Sequence, residues 1–228
     1  MTSHSDFGEI APEGWPVLAA AGIITILLAF IALPLGGFAL GLMLWLRHIL
    51  RIPARRVPVD GDVVVAPADG VVTSIERQQQ IEDRHMQDGL PPMARITIRT
   101  GLTDAQLQRA PVTGRVRDNF LTPGLFLGAA DEVTARRDNE RREITLETDA
   151  GEAVMMVQIA TRTARQLICR HGPGRALAAG ASLGMARMGG LTDLFVPGNA
   201  KLTVTEGQSV LAGETVLARL AGQQNGNS

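Results

Sequence analysis

Between Val17 and Leu33 the chain carries a single polar side chain, Thr25, and after Pro34-Leu35-Gly36-Gly37 a second apolar run extends from Phe38 to Leu46. Only a large protein could bury so polar-poor a stretch, so the remaining residues are expected to form a globular domain tied to a membrane. A secretory leader is excluded, because the preceding residues bear Asp6, Glu9 and Glu13 rather than bases, and the apolar stretch is too long. As one helix, Val17 to Leu46 would extend ~45 Å, beyond a hydrocarbon core of ~30 Å. Two arrangements remain. A tilted or proline-kinked span would put the N-terminus outside, since Arg47, Arg51, Arg55 and Arg56 flank only the C-terminal end. Alternatively, Pro34 and the glycine pair turn the chain into a shallow re-entrant hairpin. The central position of these residues, and the shortness of the second run, favour the hairpin. Trp15 and Trp45 suit interfacial anchors either way, and both arrangements place the globular part on the cytoplasmic side of the cell membrane.

The expected organisation is an N-terminal tail (1–14), the anchor (15–46), a basic linker (47–62) and a β domain (63–228). The 228 residues, 45% of them hydrophobic, suffice for one substantial core. Cys169 is the only cysteine, which rules out an internal disulfide, and His4, His48, His85 and His171 are scattered without metal-ligand spacing. No metal is expected. A net charge of −1, 4% aromatic residues and no tyrosine argue against nucleic-acid binding.

After the linker the periodicity shortens to β-type runs: Val63 to Val65, Val71 to Thr73, Arg95 to Ile98, Glu143 to Glu147, Ala153 to Ile159 and Lys201 to Val204. Helix is expected only at Asp131 to Arg137 and Arg162 to Arg170, and Arg77 to Met93 reads as an exposed polar loop. Two repeats support compactness. Ala66-Pro-Ala-Asp-Gly-Val-Val72 recurs as Ala110-Pro-Val-Thr-Gly-Arg-Val116, and the Gly174/Gly180 spacing recurs at Gly207/Gly213. The second repeat is similar to the glycine-turn hairpins of lipoyl and biotinyl carrier domains. Lys201, the only lysine, lacks a carrier context, so the analogy concerns fold alone. The fold class expected is mainly β, a compact sandwich or barrel-like domain with such hairpins, few helices and an N-terminal hydrophobic anchor.

Several stretches, in order, carry a more specific resemblance. They are Arg51-Ile-Pro-Ala-Arg-Arg-Val-Pro58, Ala66-Pro-Ala-Asp69-Gly70, Arg109-Ala-Pro-Val-Thr-Gly114, Pro123-Gly124 with Phe126, Asn139-Glu140-Arg141, Gln158-Ile-Ala160 and Gly184 to Gly189 with Asp193 to Pro197. Over nearly its whole length the chain resembles the short prokaryotic phosphatidylserine decarboxylases. The resemblance implies an enzyme of phospholipid metabolism that makes its own cofactor. A serine attacks the preceding glycine's carbonyl, β-elimination cuts the chain, and the new pyruvoyl terminus serves as electron sink for losing CO2. It also implies an Asp-His-Ser trio.

Two of the three positions depart from that pattern. Where the family reads Phe-Gly-Ser-Arg, this chain has Met188-Gly189-Gly190-Leu191, and where the family has histidine it has Gln106. Glycine offers no hydroxyl, and a carboxamide is no general base near neutral pH. Asp69 alone is retained, and Ala-Asp-Gly is also an ordinary turn. Ser182 and Thr192 are out of register for an intramolecular attack. Neither His85, His171 nor Lys201 restores the hydroxyl. Arg99-Thr100 stands in place of an apolar Phe-Met pair. Arg109, Asn139, Glu140 and Arg141 are candidate headgroup contacts, with loop fixing as the alternative for the last three; Arg136, Arg137, Arg141 and Arg142 read as a solvated face. The expectation is an inactive pseudoenzyme without pyruvoyl, binding or regulating at a phospholipid membrane. It would recognise phosphatidylserine or a related headgroup, or a protein partner in phospholipid synthesis. A decarboxylase with a non-standard site and a structural membrane scaffold are the rivals.

Overall fold

The computed structural model describes residues 9–10, 14–52, 55–58, 61–79, 92–128 and 130–221. A two-residue strand, β1 (Glu9–Ile10), precedes two helices, α1 (Trp15–Ile31) and α2 (Leu33–Ile49). The break is Ala32, extended at φ −158° and ψ 128°. Its N–H closes α1 on the Leu28 carbonyl, and its own carbonyl accepts from Leu35 and Gly36 to open α2. Pro34 sits in the first turn of α2, where its missing N–H costs nothing. The helices run antiparallel, with Val17 and Ala20 facing Met43 and Leu46 across an apolar groove. At their closest approach Gly36 is indispensable, because a Cβ there would lie 2.6 Å from the Ala29 Cβ. Each helix has 17 residues, about 25 Å, and no described helix is long and apolar enough to cross a membrane. The kinked transmembrane span left open by the sequence is thereby corrected: Ala32 and the following proline turn the chain back.

After α2, β2 (Arg51–Ile52) pairs with β1. The rest is mainly β. In chain order come β3 (Val63–Val65), β4 (Gly70–Gln79), β5 (Met93–Thr100), β6 (Leu107–Arg109), β7 (Gly114–Thr122), α3 (Glu132–Asp138), β8 (Arg141–Glu147) and β9 (Ala153–Ile159). They are followed by β10 (Gln166–Cys169), β11 (Ala176–Leu177), β12 (Ser182–Arg187), β13 (Gly190–Pro197), β14 (Lys201–Leu202), β15 (Ser209–Val210) and β16 (Val216–Arg219). A curled eight-stranded sheet has the order β11-β7-β8-β9-β13-β5-β4-β15, accompanied by β10-β12-β6 and β14-β16-β3. Alternation decides the two faces. Ile96, Ile98, Ile144, Leu146, Val154, Met156, Leu194 and Val196 fill the inner core. Met155, Val157, Ile159, Leu191 and Phe195 point the other way, under Ala135 of α3.

Most expected strands lie where the alternation put them, and α3 falls one residue from its expected position. Arg162 to Arg170 is the exception: it ends in strand β10, not a helix. Leu167 packs on Ala160 and Ala186, whereas Ile168 packs against the hairpin. Burial on both faces removes the polar alternation by which a strand is usually read. Residues 80–91 of the expected polar loop lie outside the described residues.

The sequence repeat is a structural one. Val65 N–H bonds Pro111 O and Arg109 N–H bonds Pro67 O, both at 2.8 Å, a reciprocal pair joining the two turns. Gly213 donates to Ala66 O as Gly180 does to Ala110 O, and Gly207 to Val72 O as Gly174 does to Val116 O, again at 2.8 Å each. Gly70 and Gly114 occupy matching positions where a Cβ would be driven into the carbonyls of Arg99 and Glu147.

Candidate functional site

β12 and β13 are joined by Met188-Gly189, and the backbone of this junction is unusual. Met188, Gly189 and Gly190 have φ of 70°, 90° and 130°, a left-handed run that L side chains adopt reluctantly. A Cβ on Gly189 would meet Thr100 O at 3.0 Å, while one on Gly190 would find Ile159 O at 3.3 Å and the Ala164 Cβ at 3.4 Å. Space at Gly190 is tight but not closed; its dihedral is what suits glycine.

Gln106, 1% exposed, holds the junction. Its Oε1 accepts from Gly189 N–H at 2.5 Å, and its Nε2 donates to Asp104 O at 2.7 Å and Gly101 O at 3.1 Å. One amide thus supplies an acceptor and both donor hydrogens, a set that a single imidazole, with two ring nitrogens, cannot match. The structure therefore brings Gln106 and Gly189 together and makes the amide a backbone clamp.

Asp69 stands in the first repeat turn. Its Oδ1 accepts from Ala212 N–H at 2.7 Å, and its Oδ2 takes the Arg55 guanidinium at 2.6 Å. Arg55 also approaches Glu214 at 3.9 Å, and Arg56 N–H donates to that carboxylate at 2.7 Å. Burial pushes the Asp69 carboxyl above the ordinary aspartate value, against the pull of the Ala212 N–H and of Arg55. Asp69 is linked to the Gly189 loop through its carbonyl, which accepts from Thr100 Oγ1 at 2.7 Å. Its carboxylate is engaged elsewhere. The sequence reading treated Arg55 as linker and missed this pairing; the arginine's place beside a proline-rich segment gave no hint of it.

The expected headgroup residues are dispersed. Arg109 donates to Gly180 O at 2.7 Å, inside the repeat core, and burial, ahead of the neighbouring Arg55 charge, lowers its pKa. Asn139, 1% exposed, bonds Leu127 N–H at 2.8 Å and the carbonyls of Ala160 and Leu127 at 2.8 and 3.1 Å. It fixes the 125–127 loop to the end of β9. Glu140 exchanges backbone hydrogen bonds with the same two segments, and Arg141 pairs with Glu143 at 2.8 Å.

The solvated arginine face is corrected at two positions. Arg136 binds Asp193 at 2.7 Å, Thr97 at 2.8 Å and Glu132 at 3.0 Å, locking α3 to the sheet. Arg142 turns to the concave side, where it donates to Asn119 Oδ1 at 2.8 Å and Leu167 O at 3.2 Å. There Gln108 donates to Thr192 Oγ1 at 2.9 Å and accepts from Gln158. All three are buried, and the Thr192 hydroxyl oxygen accepts within the row. These buried polar residues occupy core-facing positions of strands, the one signal by which the sequence could have pointed to them.

Comparison with known proteins identifies the family. Residues 42–218 match the family model for phosphatidylserine decarboxylase. The chain is similar to the phosphatidylserine decarboxylase proenzyme of Beijerinckia indica subsp. indica, with 37% identity over 209 residues, spanning 92% of this chain and 88% of that protein. It is also similar to the proenzyme of Geotalea uraniireducens, at 37% over 212 residues, 92% of this chain and 96% of that one. Match and relatives together cover the turn with Asp69, the Gln106 clamp and the Gly189–Gly190 junction, and the chain belongs to the phosphatidylserine decarboxylase family.

Proposed function

We propose that this chain is a pseudoenzyme of the phosphatidylserine decarboxylase family, acting in phospholipid metabolism as a membrane-bound binding or regulatory protein. The observation that carries the reading is Gly190. A pyruvoyl group is made from the residue it replaces, and that residue must bring a hydroxyl on Cβ; Gly190 has neither atom, so the junction does not fit the group. The left-handed dihedral of Gly190 and the clamp of Gln106 on Gly189 support the same reading, since both suit a permanent turn. Thr192, the nearest hydroxyl downstream, is held by Gln108 within a paired strand.

The apolar hairpin supports attachment to one leaflet of the cell membrane. Phe30, Leu33 and Phe38 near its tip are 87%, 85% and 77% exposed, an arrangement suited to lipid and not to water. Because the hairpin returns the chain to the side it came from, tail and β domain share one face of the membrane, assigned to the cytoplasm from the arginines that follow α2.

Intact-protein mass spectrometry tests the central claim. A single uncut chain of 24.3 kDa is expected. Two fragments, one blocked by a keto group, would overturn it. A second variant asks how much was lost: Gly190→Ser with Gln106→His supplies both missing groups. It is expected to remain uncut, because the serine inherits φ 130° and the junction loses its clamp.

A further inference from the structure

The hairpin is seated on the β domain by its base. Val17, Leu18, Trp45, Leu46 and Leu50 pack on Ile168 of β10 and Met185 of β12, which are paired in register. From Met185, midway along β12, the chain runs only about 10 Å to the Met188–Gly190 junction, and Phe126 packs on Leu167 and Ala186 on the other face of the same pair. Around the junction the surface is apolar and cationic. Leu102, 44% exposed, comes within 4.0 Å of the point a Gly189 Cβ would occupy. Leu125, 56% exposed, and half-buried Phe126 lie on the loop held by Asn139. Arg162 donates its N–H to Leu127 O, and the Arg165 guanidinium sits 5.5 Å from the centre of the Phe126 ring. Both arginines are exposed, and Ala164 between them borders Gly190. The opposite end of β8 and β9, the turn at Asp149-Ala150-Gly151, lies about 20 Å away along the strands and carries no large apolar side chain.

We propose that Leu102, Leu125, Phe126, Arg162 and Arg165 form a second membrane contact, entering the headgroup layer of the leaflet that holds the hairpin. Leucine and phenylalanine side chains mixed with arginine suit the boundary between acyl chains and anionic headgroups. The seated hairpin makes the second contact intramolecular, so weak individual interactions suffice to close it. The consequence is orientation: the Gly189–Gly190 junction faces the lipid surface, and the Asp149 turn faces away. This inference rests on the membrane reading given above and adds the part of the β domain that meets lipid.

Site-specific quenching tests both and separates them. In the full chain with Cys169→Ser, one environment-sensitive probe is attached at a cysteine introduced by Phe30→Cys, Leu102→Cys, Leu125→Cys or Asp149→Cys. Each protein is reconstituted in nanodiscs of phosphatidylcholine alone or with phosphatidylglycerol, containing brominated or headgroup spin-labelled lipid. Quenching is expected at 30 by the chain label, at 102 and 125 by the headgroup label, and not at 149. Arg162→Glu with Arg165→Glu should lower the equilibrium for rim contact roughly 25-fold or more with anionic lipid, at about fivefold per arginine, and far less with phosphatidylcholine alone. Quenching at 30 but not at 102 or 125 would overturn the rim contact and leave the hairpin reading standing. Absence of quenching at 30 would overturn both, whereas uncut mass would still support the pseudoenzyme.

Discussion

The turn at Ala66–Val72 and the turn at Ala110–Val116 have the same backbone bonds and opposite chemical endowments. In the first, Asp69 accepts from Ala212 N–H at 2.7 Å; in the second, Thr113 Oγ1 accepts from Ala179 N–H at 3.0 Å, at the matching position of its own repeat. The capping bond is therefore common to both and needs no catalysis to explain it. What distinguishes Asp69 is its second oxygen, which draws Arg55 from the linker into a nearly buried ion pair. An acid at this position is accounted for because the turn requires an oxygen and the linker supplies a cation for it.

The largest effect expected from breaking this comparison is at the paired glycines. Gly70→Ala and Gly114→Ala each force a Cβ against a carbonyl and should cost at least about 4 kcal/mol, a fall in Tm of roughly 10 °C or more. Thermal denaturation of the two should agree; a silent change at either would show that the repeat is not structural. Next, Asp69→Ala should cost about 3 kcal/mol, because it strands a buried guanidinium. Thr113→Ala should cost about 1 kcal/mol. Urea titration in an Arg55→Ala background should bring the Asp69 loss down towards that of Thr113, and an unchanged loss would refute the assigned role of Arg55.

The third turn offers a smaller contrast. Gln106→His removes one or more bonds of the clamp and should cost about 2 kcal/mol, with faster hydrogen exchange at the Gly189 amide while amides at the paired turns stay protected. Equal exchange in the two proteins would discard the clamp. The last difference is in pH dependence, which only the first turn should possess. Since burial raises the folded Asp69 pKa above its ordinary 3.8, the stability that Asp69 confers is full below that value and declines as pH rises through the folded pKa. Asp69→Asn should flatten that decline. Glu132 produces the opposite slope: burial raises its pKa, but hydrogen bonds from Arg99, Thr73 and Arg136, with the Arg136 charge, outweigh it, so its contribution is full above 4.5 and is lost as pH falls through the folded value. Acid unfolding that persists in Glu132→Gln would remove α3 docking as its source.

Local pattern carried the repeats, because a glycine at a close backbone approach and an acid in a turn leave their mark in consecutive residues. The hairpin's turning point was legible only approximately: the chain breaks at Ala32, whereas Pro34 opens α2 and Gly36 and Gly37 lie within that helix, Gly36 where it packs against Ala29. Strand β10 was not legible, because Leu167 is buried on one face and Ile168 half-buried on the other by different partners, and no polar alternation survives. Nor were the partners of Arg136 and Arg142. Arg136 lies among surface-like charges in the chain but meets Asp193 from 57 residues away.

The amino-acid order by itself determined the absence of a hydroxyl at Gly190, the apolar character of residues 17–46 and the family likeness, since these depend on which atoms the chain possesses. The tertiary structure decided how those atoms are used: that Gln106 closes on Gly189, that Arg55 answers Asp69 across 14 residues, and that Asn139 fixes a loop. Hydrogen-bond partners far apart in sequence are chosen by the packing of sheets and the burial of charge, and no local pattern encodes which of several equivalent arginines or amides will be brought into reach.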